Sequence, residues 1–136
     1  DVFAPAAAMI VAGKLIPGLV EIFDPVDLDF GVPEIKDDGI HGRVIFVDSF
    51  GNVITNIGGD ALGGLLFLGD ILEINGLKAT YVTTYQDGDY GNLLVLKGSH
   101  GMAEIVVNGD HASRFCGLKP GDEIIIKVNA TESDSR

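Results

Sequence analysis

Tryptophan is absent from this 136-residue chain, cysteine occurs once, and Lys and Arg together number 9 against 20 acids. Each scarcity excludes something. A single thiol, Cys116, forms no internal disulfide and no paired-cysteine metal site. A formal net charge of −11 repels phosphate, so neither a nucleic-acid-binding face nor docking on an anionic membrane is expected. No apolar run reaches the roughly 18 residues that cross a bilayer. The first residues also lack the cationic stretch of a secretory leader. The expectation is a cytoplasmic protein with no nucleic-acid and no membrane partner.

What is present points to a folded, turn-rich domain. Hydrophobic residues make up 46% of the chain, too many for disorder, and the length suits one domain. Nineteen glycines favour many short strands over long helices.

The chain divides into four stretches. Residues 1–14 read as a short helix, with Pro5 near its start and Gly13 as its stop. This helix is apolar all round from Val2 to Ala12, the pattern of an element buried on several sides. Two covers are open: a partner or upstream segment, or the end of a barrel that the helix plugs. Residues 15–39 form an acidic connector broken by Pro17, Pro25 and Pro33 and predicted to hold no regular element.

From Ile40 to residue 129 the apolar period is two. Strands are predicted around Val44–Val47, Val53–Thr55, Ile71–Ile74, Ala79–Thr83, Asn92–Lys97, Ala103–Val107 and Glu123–Lys127. Asn75-Gly76 reads as a tight hairpin turn and His111–Cys116 as a single helical turn. Residues 130–136 form a polar tail expected to be disordered. The fold class is mainly β, an antiparallel barrel or sandwich preceded by one apolar helix.

Catalytic motifs fail one after another. Ser99 and His100 are adjacent, so on a strand they point to opposite faces. Lys97 occupies the position where a nucleophile elbow needs its first glycine. Asp87-Gly-Asp89 imitates a calcium loop, but Gly98 stands where the closing glutamate belongs. Asp24-x-x-Asp27-x-Asp29 reads better as a solvated acidic loop than as a calcium site. His41, His100 and His111 lack zinc-ligand spacing, so no metal is expected.

A binding constellation remains. Asp48, Phe50 and Asn52 alternate along a bent strand-turn, which can place a carboxylate, an aromatic plate and a carboxamide on one side. Phe50 and Tyr85 can sandwich a flat ring, and the Gly98-Ser99 backbone can approach a carboxylate. Against this stands the commoner use of Asp-x-x-Gly-Asn, a turn whose side chains cap their own backbone.

Three segments in order, Asp1–Ala7, Gly42–Ile57 and Gly98–Ile105, resemble the carboxy-terminal half of the S-adenosylmethionine hydroxide adenosyltransferases, relatives of the fluorinase and chlorinase enzymes. The string Asp48-Ser-Phe-Gly-Asn-Val-Ile-Thr-Asn-Ile57 is the most specific part. The resemblance implies a carboxy-terminal β domain, with residues 1–14 as the last helix of an amino-terminal α/β domain. It implies a homotrimer in which S-adenosylmethionine, a substrate rather than a cofactor, lies between this domain and a neighbouring subunit's amino-terminal domain. Hydroxide then attacks the ribose C5′ and releases adenosine and methionine.

The same resemblance implies that Asp48 and Ser99 hold the methionine portion and that Phe50 and Asn52 contact adenine. Tyr85 stacks on the ring, and the backbone from Val107 to Gly109 lines its edge. His100 stands where halide-using relatives carry arginine, which fits a non-halide nucleophile. No catalytic residue falls in this chain, which alone is expected to be inactive. The alternative from another class is a non-catalytic barrel that docks on a protein partner through the apolar helix. A calcium-dependent carbohydrate binder is a third.

Overall fold

The computed structural model describes residues 2–21, 24, 26 and 28–128. Asp1, Pro25, Asp27 and the predicted tail 130–136 lie outside the described residues. Helix α1 spans Phe3–Val11, with Pro5 in its first turn, and Gly13 follows its end at φ +64°. None of its residues is buried. The barrel-plug alternative therefore fails, because a plug must bury side chains and this helix buries none.

Eight strands follow: β1 Glu34–Lys36, β2 Gly39–Val47, β3 Val53–Gly58, β4 Ile71–Ile74, β5 Leu77–Tyr81, β6 Leu93–Lys97, β7 Met102–Val107 and β8 Glu123–Val128. Two short helices interrupt them, α2 Gly59–Gly63 and α3 Ala112–Cys116. The sheet runs β1-β2-β3-β7-β6-β5-β4-β8, and β8 pairs back onto β2. Seven strands thus close into a barrel, which removes free edges from all of them, while β1 hangs on β2 outside the ring.

Three expectations need correction. The barrel is mixed rather than purely antiparallel, since β5 and β6 run parallel in the register Thr80↔Leu94 and Tyr81↔Val95. The physical reason is the connection: a parallel pair needs a crossover instead of a tight hairpin, and the stretch from Val82 to Asn92 supplies it. The connector is not wholly irregular, because Glu34–Lys36 pairs with β2. Helix α2 interrupts the predicted period of two, entered from Gly58 in extended backbone at φ −63° and ψ 132°.

Elsewhere local chemistry and fold agree. Asn75 at φ +47° and Gly76 at φ +86° form the predicted turn that sets the β4–β5 register Ile74↔Leu77. Inward positions alternate as the pleat requires. Val53, Ile57, Val95, Ile105, Ile124 and Ile126 are fully buried in one core, each contributing about 1.5–3 kcal/mol relative to exposure. Thr55 lies among them without an unpaired group: its hydroxyl donates to the Ala103 carbonyl at 3.0 Å and accepts from the Ile57 amide at 3.2 Å.

The outer face over β6 and β7 is also apolar. Leu94, Leu96 and Val106 form a second small cluster with Val82, at the head of the crossover between β5 and β6. Gly88 in that crossover packs so closely on Leu94 that a Cβ has no room, and Asn108 donates to the Gly88 carbonyl at 2.8 Å. Asn56 straps the connector to the barrel, donating to the carbonyls of Phe30 and Gly31 at 2.8 and 3.2 Å.

Candidate functional site

The bend between β2 and β3 is organised by one carboxylate. Asp48 Oδ1 accepts from the backbone amides of Phe50 at 2.8 Å and Asn52 at 2.9 Å, and its Oδ2 accepts from Asn52 Nδ2 at 2.9 Å. Gly51, at φ +84°, supplies the left-handed residue of the bend and packs against the His111 side chain, where a Cβ does not fit. The Gly51 carbonyl accepts from the Ser113 amide at 2.9 Å, tying the bend to α3. The consequence is a division of labour. The Phe50 ring is pushed outward and is 75% exposed, while Asn52 is held in place and only 7% exposed.

The facing wall comes from the crossover. A one-turn 3-10 helix, Tyr85–Asp87, is fixed by a capping box in which Asp87 Oδ2 accepts from the Thr84 amide at 2.8 Å and the Thr83 amide at 3.2 Å. This brings the Tyr85 hydroxyl to Glu104 on the outer face of β7, to which it donates at 2.9 Å. Burial, then the hydrogen bond to Glu104, its charge and that of Asp48 push the Tyr85 phenol up to about 12. Asn52 Nδ2 lies 3.4 Å from the Tyr85 oxygen. His100 Nε2 lies 3.4 Å from the other Glu104 oxygen, and the Met102 amide donates to His100 Nδ1 at 3.2 Å.

Between these walls opens a cleft of about 540 Å³ lined by Ser49, Phe50, Asn52, Tyr85 and residues 107–111. That volume falls in the range of small-molecule sites. The structure therefore brings together Phe50, Asn52, Tyr85, Val107 and Gly109. Asp48 lies outside the lining, with both oxygens engaged in the bend. Ser99 and His100 sit in the turn between β6 and β7, also outside the lining, and His100 reaches the site only through Glu104.

Glu104 and His111 are among the residues that escaped the sequence reading, as are Ser49 and Asp110 in the lining. Glu104 is 7% exposed and holds the Tyr85 hydroxyl; the signal was a carboxylate in the apolar strand run Ala103–Val107. His111, set aside on its spacing as a zinc ligand, lines the cleft and backs Gly51. Nothing in sequence spacing brings residue 111 beside residue 51. Among the described residues no group of three or more His, Cys, Asp or Glu side chains is placed to hold a metal ion. No helix among them is long and apolar enough to cross a membrane.

Fold and site together define a mixed β-barrel domain with a polar-floored, aromatic-walled cleft outside the barrel. Residues 42–125 match the family described as the SAM hydroxide adenosyltransferase C-terminal domain, and the chain belongs to that family.

The chain is 33% identical over 128 residues to an (R)-S-adenosyl-L-methionine hydrolase of Salinispora arenicola, covering 91% of this chain and 48% of that protein. It is 34% identical over 122 residues to the enzyme of the same name from Thermus thermophilus, covering 89% and 45%. A crystal structure of an uncharacterized conserved protein from Thermotoga maritima superposes with a TM-score of 0.68 at 35% identity, covering 93% of this chain and 50% of that one. The chain thus spans about half the length of the relatives it matches.

Proposed function

We propose that this domain is the nucleoside-binding part of an enzyme that cleaves S-adenosylmethionine into adenosine and L-methionine. The observation that carries the reading is the meeting of Phe50, Tyr85 and Asn52 around one cleft, in a chain whose relatives are named (R)-S-adenosyl-L-methionine hydrolases. The adenine ring lies between the two aromatic side chains, an arrangement worth about 0.5–1.5 kcal/mol beyond area burial. The Asn52 carboxamide meets its polar edge, and the backbone of Val107 to Gly109 closes the rim. The methionine portion extends toward the turn that carries Ser99 and His100.

In the reaction, hydroxide forms a bond to the ribose C5′ as the C5′–S bond breaks. The bonding pair passes to the sulfonium, which leaves as the neutral thioether of methionine. Such a displacement needs alignment and exclusion of bulk water rather than a covalent enzyme intermediate. This domain supplies alignment; an amino-terminal domain from a neighbouring subunit of a trimer completes the cleft and positions the hydroxide. Two features support a docked second wall: the outward Phe50 ring and a helix α1 with no buried residue. The acidic chain, at −11, also favours a cationic substrate over an anionic one.

The test is turnover by the whole protein, followed as adenosine and methionine released. Phe50→Ala and Asn52→Ala are each expected to raise KM by roughly 3- to 10-fold or more, with Phe50→Ala leaving folding stability within about 0.5 kcal/mol because its ring is exposed. Release of neither product by the unsubstituted protein rejects the reading. So does a KM unmoved by both substitutions.

A further inference from the structure

The hydrogen bonds around Asn52 have a direction, and that direction limits what the cleft can accept. A carboxylate only accepts, so the Asn52 atom 2.9 Å from Asp48 Oδ2 is the amide nitrogen. On the far side Glu104 Oε1, equally restricted, takes the Tyr85 hydroxyl hydrogen. The Tyr85 oxygen is then left as an acceptor, and the same amide nitrogen faces it. His100 gives Glu104 no reason to turn: the Met102 amide occupies its Nδ1, so the ring hydrogen is on Nε2, the atom 3.4 Å from the second Glu104 oxygen. Both hydrogens of the Asn52 amide are therefore engaged from opposite sides, while its oxygen takes no part in the network.

We propose that Asp48 and Glu104 are positioning residues that lock the Asn52 carboxamide so that only its oxygen faces the ligand, and the cleft thereby selects a 6-aminopurine over a 6-oxopurine. The selection rests on the nucleoside reading above. An exocyclic amino group donates to the locked oxygen; a 6-oxo group sets two acceptors against each other, with a buried polar atom left unpaired. Sequence order hides this, since Glu104 is far along the chain from Asp48 and neither lines the cleft.

Asp48→Asn is the decisive substitution. Asparagine also holds an Asx turn, so its oxygen keeps the Phe50 and Asn52 amides, and its nitrogen now stands where Oδ2 was. A donor there forces the Asn52 carboxamide over, presenting its nitrogen to the ligand. Glu104→Leu acts from the other side by freeing the Tyr85 hydroxyl to donate to Asn52, and its apolar side chain suits an outer face that already holds Val106 and Leu94.

The experiment measures calorimetric binding of adenosine, inosine and purine riboside to the whole protein. Unsubstituted protein is expected to favour adenosine over inosine by at least tenfold. Asp48→Asn lowers that ratio at least tenfold and Glu104→Leu at least threefold, while purine riboside, which has no 6-substituent, stays within about twofold. If Asp48→Asn does not fold, Glu104→Leu decides alone. A ratio unchanged in the folded variants, or purine riboside weakened in step with adenosine, overturns the lock and leaves the nucleoside reading standing. No binding of any of the three by the unsubstituted protein overturns the nucleoside reading and the selection with it.

Discussion

Phe50 and Tyr85 have opposite standing in the same cleft, and the difference is chemical. Phe50 holds only its backbone in the bend and leaves its ring to solvent, whereas Tyr85 is anchored by its hydroxyl to a buried carboxylate. Tyr85 is protonated well past neutrality, with its phenol near 12 against an ordinary value of 10. The unfolded chain loses this proton first, so the contribution to stability is whole below pH 10 and is lost as pH rises from about 10 to 12. Titration followed through the ring carbon resonance of Tyr85 is expected to show ionisation near pH 12. Glu104→Leu is expected to move it part of the way back toward 10, because burial, the first cause, remains. An ionisation near 10 in the unsubstituted protein contradicts the Glu104 contact.

The Asp-x-x-Gly-Asn string has two readings, a ligand-binding face and a self-capping turn, and the structure shows the capping. The Asp48 oxygens cap the turn, and the capped turn is what presents Phe50 and Asn52 to the cleft.

At the scale of elements, the bend between β2 and β3 is the most sensitive point. Gly51 combines a left-handed backbone with contact against His111, so Gly51→Ala meets two penalties together. The conformational one alone is about 1–2 kcal/mol, and the displaced ring adds to it. Urea denaturation is expected to show a loss of at least about 1 kcal/mol, with nucleoside binding weakened more than Phe50→Ala weakens it, since the whole bend moves. Gly76→Ala in the β4–β5 turn is the control. It carries the same backbone penalty at φ +86° with nothing within 4 Å of the new Cβ, and it leaves binding unchanged. The hairpin was readable from Asn75-Gly76 because a positive φ at two successive positions is a local demand. The parallel β5–β6 pair was not, because a strand's alternation reads the same whichever way its neighbour runs.

For the whole molecule, the closed barrel carries the stability and the amino-terminal helix does not. Ile105, fully buried on β7, sits in the core behind the site; Ile105→Ala is expected to cost about 2–5 kcal/mol. Deleting residues 1–14 removes no buried side chain of α1. Thermal unfolding of the barrel is expected to keep its midpoint within about 2 °C, since the helix buries no side chain and changes outside a buried core alter stability little. A large drop shows instead that the helix stabilises the barrel, which conflicts with a role as a docking element.

Sequence alone determined the features that depend on neighbours along the chain: the period of two, the glycine turns, the apolar helix, and the aromatic and carboxamide side chains of one bend. It also carried the family through the string around Phe50 and Asn52. Tertiary structure decided which distant segments meet. Closure of β8 onto β2, the crossover that carries Tyr85, His111 behind Gly51 and Glu104 under the Tyr85 hydroxyl all join residues well apart in the chain. No local period or propensity encodes such pairings, because they follow from how the strands wrap around a common core.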